Sequence, residues 1–322
     1  MRVRALLVSL AFAAATNGAA AAEVRQIAMP GPAGRIVASG SGVFAQVPGG
    51  SWFRVVDCGE ALCAKPSSAP TPPTPAPAGA LPDGHVAAVG SGDIRRAWYG
   101  RPTGRYGHGV LGDAIEGGSL VVEDASGRRF EHVLPETHVF EDITPRIADL
   151  DGDGRNEIVA IRSSRSKGAA LAILGLRDAN LRLLDVTPEI GRPNRWLNVA
   201  GIGDYRGDGR RIVAWVETPH IGGTLKMASF GGERIERVGR DTAGFSNHVI
   251  GSRELALSAT GDFTGDGTED LALPSADRRS IAIVSGDERR SFALPSRAAA
   301  VATTARKLVI LLEDGRLVTL TP

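Results

Sequence analysis

The chain consists of short runs of apolar residues separated by turns that are rich in glycine and polar side chains. One representative series occupies residues 158–161, 169–174 and 181–186. Runs of this kind, rich in Val, Ile and Leu and bounded by Gly, Asn and Asp, predict β-strands. No apolar pattern with the helical period extends over about ten residues, so an alternation of strands and helices is not favoured.

The apolar runs recur in units marked by an acidic motif. The motif begins at Asp149, Asp204 and Asp262, at nearly equal intervals of roughly 55 residues. One apolar run precedes each motif and three follow it, so each unit supplies four short strands. Four-stranded antiparallel units at this spacing are typical of propeller blades. The sequence therefore predicts an all-β fold, a β-propeller of four-stranded antiparallel blades.

Regions on both sides of the motifs fit the same rhythm. Residues 24–57 and 84–134 each supply a less regular set of runs, whereas residues 299–320 supply only three. The mature N-terminus offers a spare strand at residues 24–28. We expect this strand to complete the last blade and close the ring, because closure removes open sheet edges. Six blades are then expected; seven would require a blade within the proline-rich segment at residues 66–80.

Residues 1–22 have the features of a secretory signal peptide. Two arginines precede an apolar run that is too short to span a bilayer, and small residues suited to cleavage follow. A retained anchor helix is the alternative. We expect an exported protein, periplasmic or secreted, whose mature chain has no membrane span.

Residues 23–322 are predicted to form a single propeller domain that contains a proline-rich mobile loop at residues 66–80. Proline fixes the backbone and removes a hydrogen-bond donor, so this segment is expected to be extended and unpacked. A linker between two domains is the alternative.

Charge and cysteine content narrow the possible partners. The 37 basic and 36 acidic residues nearly cancel, which does not favour binding to nucleic acid. Cys58 and Cys63 are the only cysteines. We expect them to form a disulfide in an oxidising compartment, with free thiols as the alternative. A monomer is expected.

The first acidic motif has the composition of a calcium loop. Asp149, Asp151, Asp153 and Glu157 occupy positions 1, 3, 5 and 9, and the Arg155 carbonyl is suited to position 7. Ca²⁺ prefers six to eight oxygen ligands on a flexible loop. An EF-hand is excluded because position 12 is alanine and the flanks are strand-like. The alternative is a solvated acidic turn, in which Asp and Gly serve turn geometry.

The other two motifs depart from the first to different degrees. The third offers five candidate ligands: Asp262, Thr264, Asp266, Thr268 and Asp270. The second retains Asp204 and Asp208, but Arg206 takes position 3 and no closing acid follows. We expect this loop to be degenerate, with the Arg206 guanidinium bridging the two aspartates in place of a metal. One or two Ca²⁺ ions are therefore predicted.

The three motifs resemble the calcium loops of the FG-GAP/VCBS repeat family, which includes the integrin α-subunit propellers. The resemblance rests on Asp149-Leu-Asp-Gly-Asp-Gly-Arg-Asn-Glu, Asp204-Tyr-Arg-Gly-Asp-Gly and Asp262-Phe-Thr-Gly-Asp-Gly-Thr-Glu-Asp. It covers residues 145–285 and implies a bacterial exported propeller that binds calcium. It implies no particular activity.

Unusual polar residues concentrate in loops predicted to lie on the face opposite the acidic motifs, near the mouth of the central channel. The candidates for ligand binding are Arg105, Tyr106, His108, Asp113, Asn194, Arg195, Trp196, Asn198, His220, Asn247, His248, Arg253 and Glu254. They are suited to a polar or anionic ligand. The alternative is that they cap the blades and satisfy buried backbone groups.

We therefore expect a non-catalytic binding module with an unknown protein or glycan ligand. One alternative is a hydrolase or lyase acting on extracellular polysaccharide. In that case Asp113 and Glu254 would act at a glycosidic bond, or His108, His220 and His248 would hold Zn²⁺. A second alternative is a purely structural interaction protein.

Overall fold

The computed structural model describes residues 23–40, 42–59, 61–304 and 307–321. The predicted signal peptide at residues 1–22 lies outside these ranges. All regular secondary-structure elements in the described ranges are β-strands, which confirms the all-β prediction. Within the same ranges, no helix is long and apolar enough to cross a membrane.

The N-terminal part contains the first strand of the chain, which pairs elsewhere, and two groups of four antiparallel strands. Its strands are β1 (Glu23–Ile27), β2 (Arg35–Ser39), β3 (Gly42–Gln46), β4 (Trp52–Asp57), β5 (Leu62–Ser67), β6 (Ala87–Ala88), β7 (Ile94–Thr103), β8 (Glu116–Asp124) and β9 (Arg129–Val133). Strands β2 to β5 pair in chain order, and so do β6 to β9. The disulfide between Cys58 and Cys63 closes the turn between β4 and β5, as predicted.

The middle part repeats the arrangement twice. Its strands are β10 (His138–Phe140), β11 (Arg146–Ala148), β12 (Glu157–Ser164), β13 (Gly168–Arg177), β14 (Asn180–Val186), β15 (Leu197–Gly203), β16 (Ile212–Glu217), β17 (Thr224–Phe230) and β18 (Ile235–Ala243). Strands β11 to β14 and β15 to β18 pair in chain order. The short strand β10 pairs with both β8 and β12, and it joins two groups into one nine-stranded sheet. The sequence did not predict this link.

The C-terminal part uses the N-terminal strand of the chain. Its strands are β19 (Ala259–Gly261), β20 (Asp270–Pro274), β21 (Ser280–Ser285), β22 (Glu288–Ala293), β23 (Ala298–Thr304), β24 (Lys307–Leu312) and β25 (Leu317–Thr321). Strands β19 to β22 form one sheet, and β23, β24, β25 and β1 form another. The antiparallel pairing of β1 with β25 confirms that the N-terminal strand completes the last unit.

The core lies between successive sheets. Strands β12 and β13 are buried on both faces because a neighbouring sheet covers each side, whereas β22 is largely exposed. Ile161, Leu171 and Trp215 belong to one apolar cluster that joins adjacent units. Apolar side chains on both faces of a strand remove the strict alternation that a one-sided sheet would display.

The proline-rich segment is partly incorporated into the fold. Pro66 and Ser67 pair with β4 as the last residues of β5, so the connection begins two residues later than predicted. Pro66 is tolerated because β5 is an edge strand, where the missing N–H costs no ladder bond. Farther along, the Ala76 amide donates to Gly84 at 3.0 Å, and Ala76 packs on the cluster around Trp98. The mobility of the remaining residues stays a prediction.

Candidate functional site

The two candidate sites lie at opposite ends of the same strands. The acidic loops (the first at residues 149–157, the second at 204–212, the third at 262–270) each join the first and second strands of a unit. The histidine face comprises the loops at residues 105–116, 192–196, 218–223 and 245–254, at the other strand ends. Strand β15 has 7 residues and runs from one end to the other, a separation of about 20 Å.

All three acidic loops adopt the same turn. In the first loop, the amides of Gly152 and Gly154 donate to the Asp149 carboxylate at 2.8 and 3.0 Å. Asp262 accepts the equivalent bonds from Gly265 and Gly267, whereas Asp204 accepts bonds from the amides of Asp208 and Gly209. The fourth and sixth positions have positive φ in every copy, for example 79° at Gly152 and 85° at Gly154, so glycine is needed there. The leading aspartate therefore has a structural role in each loop.

Three carboxylates meet in the first acidic loop. Oxygen atoms of Asp149, Asp151 and Asp153 all lie within 4.8 Å of one another. The predicted closing ligand, Glu157, points elsewhere: it accepts the Leu150 amide at 3.1 Å and an Arg177 guanidinium N–H at 3.2 Å. Burial raises the pKa of Glu157 to about 7. The loop thus brings together three of its four predicted acids.

Arg155 was predicted to offer its carbonyl as a ligand of this loop. Its side chain forms an ion pair with Asp153. Its Nε atom lies 2.8 Å from Oδ2 of Asp153, and its backbone amide donates to Oδ1 at 2.8 Å. This ion pair lowers the pKa of Asp153. Asp153 is therefore held as a carboxylate before any cation binds.

The third acidic loop contains buried oxygens with no partner. Asp270 is fully buried, and its Oδ2 accepts the amides of Phe263 and Thr264, both at 2.8 Å. Its Oδ1, like the hydroxyl of Thr264, has no hydrogen-bond partner among the described residues. Asp266 accepts the Thr268 amide at 2.8 Å, equivalent to the contact between Asp153 and residue 155. A buried carboxylate oxygen without a partner is costly unless a cation or water satisfies it.

The second acidic loop does not contain the predicted arginine bridge. Arg206 is exposed and forms no ion pair with Asp204 or Asp208 within the described ranges. Backbone amides satisfy the two carboxylates instead: Gly209 donates to Asp204 at 2.9 Å and Arg210 donates to Asp208 at 3.0 Å. Backbone amides thus take the place at these two carboxylates that the Arg206 guanidinium was predicted to occupy.

The eighth residue of each acidic loop reaches back to the preceding unit. In the first loop this residue is Asn156, whose buried amide nitrogen donates to the carbonyls of Ser91 at 2.6 Å and Ile94 at 2.8 Å. The backbone amide of Asn156 donates to the Asp93 carboxylate at 2.7 Å. These bonds fix the first loop to the turn that precedes β7.

The other two loops repeat this contact with different chemistry. The Arg211 amide of the second loop donates to the Leu150 carbonyl of the first at 3.3 Å. The Glu269 carboxylate of the third loop accepts the Asp204 amide of the second at 2.6 Å. Adjacent acidic loops are therefore tied to one another along one end of the sheets.

A cavity of about 900 Å³ lies between the second and third acidic loops. Its walls include Arg206, Asp208 and Asp266 together with the turn between β21 and β22. The lining mixes both signs of charge, and the hydroxyl of its buried Tyr205 is already bonded to Thr260, so the cavity does not define one ligand.

The loops of the histidine face are interlocked. The Gly251 amide donates to the Val110 carbonyl at 2.8 Å, and the Asn194 amide donates to the Tyr106 hydroxyl at 3.3 Å. The Thr218 amide donates to the Trp196 carbonyl at 2.8 Å. These bonds join all four loops into one surface.

Two histidines and a tryptophan form the centre of this face. The His220 ring stacks on Trp196, with 6.1 Å between centroids and 4° between planes. Nε2 of His220 lies 2.8 Å from Nδ1 of His248, and Nε2 of His248 lies 2.8 Å from the Ser252 carbonyl. Since a carbonyl only accepts, His248 is protonated at Nε2 and accepts a bond from His220 at Nδ1. Burial lowers the pKa of each histidine to about 4, so both rings are neutral at pH 7.

The third histidine is oriented by a buried carboxylate. Nδ1 of His108 lies 2.6 Å from Oε1 of Glu141, whose other oxygen accepts the Ser163 hydroxyl. Glu141 is fully buried, and the Trp196 indole N–H donates to its carbonyl at 3.0 Å. Nε2 of His108 has no hydrogen-bond partner among the described residues. A carboxylate behind one ring nitrogen prepares the other for proton transfer or hydrogen bonding.

Glu116 adds a second buried acid near this pair. It is 2% exposed, and its Oε1 has no hydrogen-bond partner in the described ranges. Burial, together with the charges of Glu141, Asp113 and Asp142, raises the pKa of Glu116 to about 9. Glu116 is therefore a neutral carboxylic acid at pH 7.

Two of the predicted anion-binding arginines are already engaged. Nε of Arg105 donates to the His138 carbonyl at 2.9 Å. Arg253 is ion-paired with both Asp83 and Asp113. Their guanidinium groups hold the loops together and are therefore not free to bind an anionic ligand.

Several other candidates are structural. The side-chain amide of Asn198 donates to the Asn247 carbonyl at 3.0 Å, and Asn247 returns a bond to Asn198 at 3.3 Å. Both asparagines are fully buried. The Glu254 carboxylate accepts the Ala256 amide at 2.7 Å, and burial raises the pKa of Glu254. These residues shape the loops from below and are poorly placed to contact a ligand.

The zinc alternative does not fit the geometry. Among the described residues, the only three His, Cys, Asp or Glu side chains with ligand atoms within 4.8 Å of one another are the aspartates of the first acidic loop. His220 and His248 use their facing nitrogens to bond each other. A common metal would have to break that bond.

Sequence reasoning missed Glu141 and the exposed aliphatic residues of this face. Glu141 and Asp142 form an acidic pair inside the apolar segment 139–143, and that contrast could have singled them out. The exposed large aliphatic side chains among the described residues are Ile115, Val133, Ile221, Val249 and Ile250. All but Val133 lie on the histidine face, next to the residues that the sequence did select.

No protein-family model matches the chain, and no curated protein matches it. The acidic motifs resemble FG-GAP/VCBS repeats, but the chain is not shown to belong to that family. Several solved structures are similar at low identity. A catalytically inactive virginiamycin B lyase from Staphylococcus aureus with quinupristin is 14% identical, with a TM-score of 0.44, covering 94% of this chain and 99% of that one.

Two further structures have comparable scores. BamB from Moraxella catarrhalis is 12% identical, with a TM-score of 0.38, and the match covers 89% of this chain and 71% of that one. A Bacillus licheniformis rhamnogalacturonan lyase is 14% identical, with a TM-score of 0.44, and the match covers 88% of this chain and 66% of that one. At these values the similarities assign neither a family nor an activity.

Proposed function

We propose that the chain is an exported six-bladed β-propeller, braced by one or two Ca²⁺ ions, that acts as a non-catalytic binding module through its histidine face. Six consecutive groups of four strands in the described residues support the blade count. The pairing of β1 with β25 supports a closed ring. The disulfide and the signal-like residues 1–22 support export.

Two observations support calcium. The clustered carboxylates of Asp149, Asp151 and Asp153 repel one another unless a cation is present. In the third loop, the buried Oδ1 of Asp270 and the Thr264 hydroxyl supply oxygens without partners. Ca²⁺ would cross-link each loop and, through the contacts of Asn156 and Glu269, stiffen the ties between adjacent units.

One observation carries the binding function. Four of the five exposed large aliphatic side chains in the described residues, Ile115, Ile221, Val249 and Ile250, lie on three loops that bond directly to one another. Ile221 and Ile250 are 60% and 65% exposed. Clustered exposed apolar side chains on an otherwise polar surface mark interaction sites.

Site-specific photocross-linking in the exporting cell tests this proposal. A benzophenone side chain at position 221 or 250 is expected to give cross-linked adducts. Position 133 is the matched control, because Val133 is 45% exposed but lies on β9, away from the histidine face. Equal adducts from all three positions, or none from 221 and 250, would contradict a binding function for this face.

A second candidate function is hydrolysis or elimination on an extracellular polysaccharide. The specific observation in its favour is the pair of His108 and buried Glu141, which leaves Nε2 of the histidine free to move a proton. The structure does not favour the catalytic pair of Asp113 and Glu254, since Arg253 engages the first and the Ala256 amide the second. Release of new saccharide ends by wild type but not by His108→Gln would support this candidate over simple binding.

A further inference from the structure

We infer that the partner of the histidine face is a protein segment that carries aliphatic side chains flanked by carboxylates. This inference rests on the proposed binding function and names the class of ligand. It follows from a group of basic side chains beside the aliphatic cluster, from the absence of exposed aromatic rings on the four described loops, and from a cavity that adjoins them.

A basic patch adjoins the aliphatic cluster. It comprises Arg165, Lys167, Arg192 and Arg195. Arg165 and Arg192 are exposed, and neither they nor Arg195 is ion-paired with a carboxylate among the described residues. Lys167 is 4.0 Å from Glu189, which His138 and Arg162 already share. At least three positive charges on this surface therefore have no internal counterion.

The patch is fixed in place by the backbone. The Gly191 amide donates to the Lys167 carbonyl at 2.8 Å, and the Ala169 amide donates to the Arg195 carbonyl at 2.8 Å. The loop of residues 192–196 contacts two of the loops that carry the aliphatic cluster. The Asn194 amide bonds the loop of Ile115 through the Tyr106 hydroxyl, and Trp196 bonds the loop of Ile221. Apolar and positive surfaces are thus contiguous, which fits an amphipathic acidic segment.

A glycan is less well suited to this surface. Saccharide rings are typically bound by exposed aromatic faces, but Tyr106 is 4% exposed and Trp196 is 2% exposed. Phe245 and His248 are also buried, and the remaining ring residues of these loops, His108 and His220, are half-buried. The exposed contact surface is aliphatic and guanidinium, and both groups match protein side chains.

A flat membrane surface is also less well suited. A cavity of about 390 Å³ lies beside the end of the loop of residues 245–254, with Ile143, Pro145 and Leu255 in its walls. Arg253 lines the cavity and pairs with Asp113 of the loop that carries Ile115, so the cavity adjoins the aliphatic cluster. A projecting side chain of a peptide can enter such a recess, whereas a bilayer surface cannot follow it.

A phage-displayed library of random twelve-residue peptides, selected on the full mature chain, tests the inference. The expected consensus has aliphatic residues flanked by Asp or Glu. The synthetic consensus peptide is expected to bind wild type, and its affinity is expected to fall as salt is added. Ile221→Asp combined with Ile250→Asp, and Arg192→Glu combined with Arg195→Glu, are each expected to weaken binding by about tenfold or more.

Matched controls separate the face from general surface effects. Val133→Asp tests an exposed aliphatic residue on β9, and Arg206→Glu tests an exposed unpaired arginine on the acidic side. Both are expected to bind the peptide as wild type does. All substituted side chains are exposed or half-buried, and thermal unfolding of each variant checks that the fold is retained.

The outcomes distinguish this inference from the proposed function. A consensus without carboxylates, or peptide binding unchanged in both paired variants, overturns the inference. If peptides fail but a glycan array or phosphatidylglycerol vesicles bind wild type and not the Ile221→Asp, Ile250→Asp variant, the binding function stands and the protein partner does not. If peptides, glycans and vesicles all fail, both are overturned.

Discussion

The carboxylate of Glu269 accepts a hydrogen bond from the backbone amide of Asp204, with 2.6 Å between Oε2 and the nitrogen. The third acidic loop thereby holds the first residue of the second loop. Asn156 holds the first loop to the unit before it in a similar way. These contacts join residues 62 to 65 positions apart, so the acidic face is a series of loops tied to their neighbours.

Asn156→Ala is expected to lower the free energy of unfolding by about 2–3 kcal/mol. The substitution removes the donor to the buried carbonyl of Ile94 and to the partly buried carbonyl of Ser91, and an unsatisfied buried group costs about 1–3 kcal/mol. Urea unfolding followed by tryptophan fluorescence measures the change.

Glu269→Gln is the milder counterpart. A glutamine side-chain oxygen still accepts the Asp204 amide, so the loss is expected to stay under about 1 kcal/mol. A loss of less than about 0.5 kcal/mol for Asn156→Ala would show that the tie to the preceding unit is not a significant source of stability.

Calcium is expected to stabilise the fold. A ligand that binds only the native state adds about 2.7 kcal/mol when its concentration is a hundred times the dissociation constant. Isothermal titration of the chelator-treated protein is expected to give one or two ions per chain. Asp151→Asn is expected to remove one of these, because it takes a charge from the cluster with Asp149 and Asp153.

Asp208→Asn in the second loop is the matched control for calcium. It alters an aspartate in the same turn, but Arg206 stands where that loop would need its third-position ligand. Its titration is expected to match wild type. Equal loss of binding in the two variants, or no binding heat in wild type, would falsify the assignment of the first loop as the metal site.

Much of the fold could be predicted because its signals are local. Strand-sized apolar runs and the recurrent acidic turn fixed the order of strands β11 to β25 and the role of β1. Strand β10 escaped prediction because three residues, His138 to Phe140, carry no periodic signal and pair only when two units meet. Strand β5 was hidden by Pro66, which an edge strand tolerates.

The acidic loops were recognisable for the same reason, since their candidate ligands lie within nine consecutive residues. The direction in which Arg206 and Glu157 point was not, because neighbouring amides and Arg177 decide it. The pair of His108 and Glu141 spans 33 positions, and no local pattern connects them. Contacts between side chains of one turn can be predicted from the sequence, whereas contacts between units depend on how the units pack.

The bonded pair of His220 and His248 is expected to make the protein acid-sensitive. Burial lowers both pKa values to about 4 from the usual 6.5, so the folded state binds fewer protons than the unfolded state between these limits. The stability that the two neutral rings contribute is fully present above about pH 6.5 and is lost as pH falls towards 4. A loss of up to about 3 kcal/mol per ring is expected between pH 6.5 and 4, and it is smaller for His220 because that ring is partly exposed.

His220→Gln tests this mechanism. Its amide N–H can still donate to Nδ1 of His248, but it does not titrate, so the acid-induced loss is expected to be about half that of wild type. Proton NMR of the imidazole resonances reports the two rings directly. Titration of both rings near pH 6.5 would contradict their burial as a neutral pair.

Glu116→Gln is expected to stabilise the protein at neutral and alkaline pH. Burial and the neighbouring carboxylates raise the pKa of Glu116 from 4.5 to about 9. The folded state therefore holds a proton that the unfolded state releases, and the free energy of unfolding falls as pH rises from about 4.5 to about 9. Glutamine keeps the neutral shape without this proton, so a gain of about 2 kcal/mol is expected at pH 8.

The shape of the pH dependence separates this cause from simple repacking. If protonation of Glu116 is responsible, the gain from Glu116→Gln nearly vanishes at pH 4, where the carboxylic acid is neutral in both states. Glu136→Gln, at a side chain that is 87% exposed, is the control and is expected to change stability little at either pH. A gain of equal size at pH 4 and pH 8 would instead assign the effect to packing around the unsatisfied Oε1. In that case, the folded and unfolded states would release the Glu116 proton over the same pH range, and neither burial nor Glu141 would raise the pKa of Glu116.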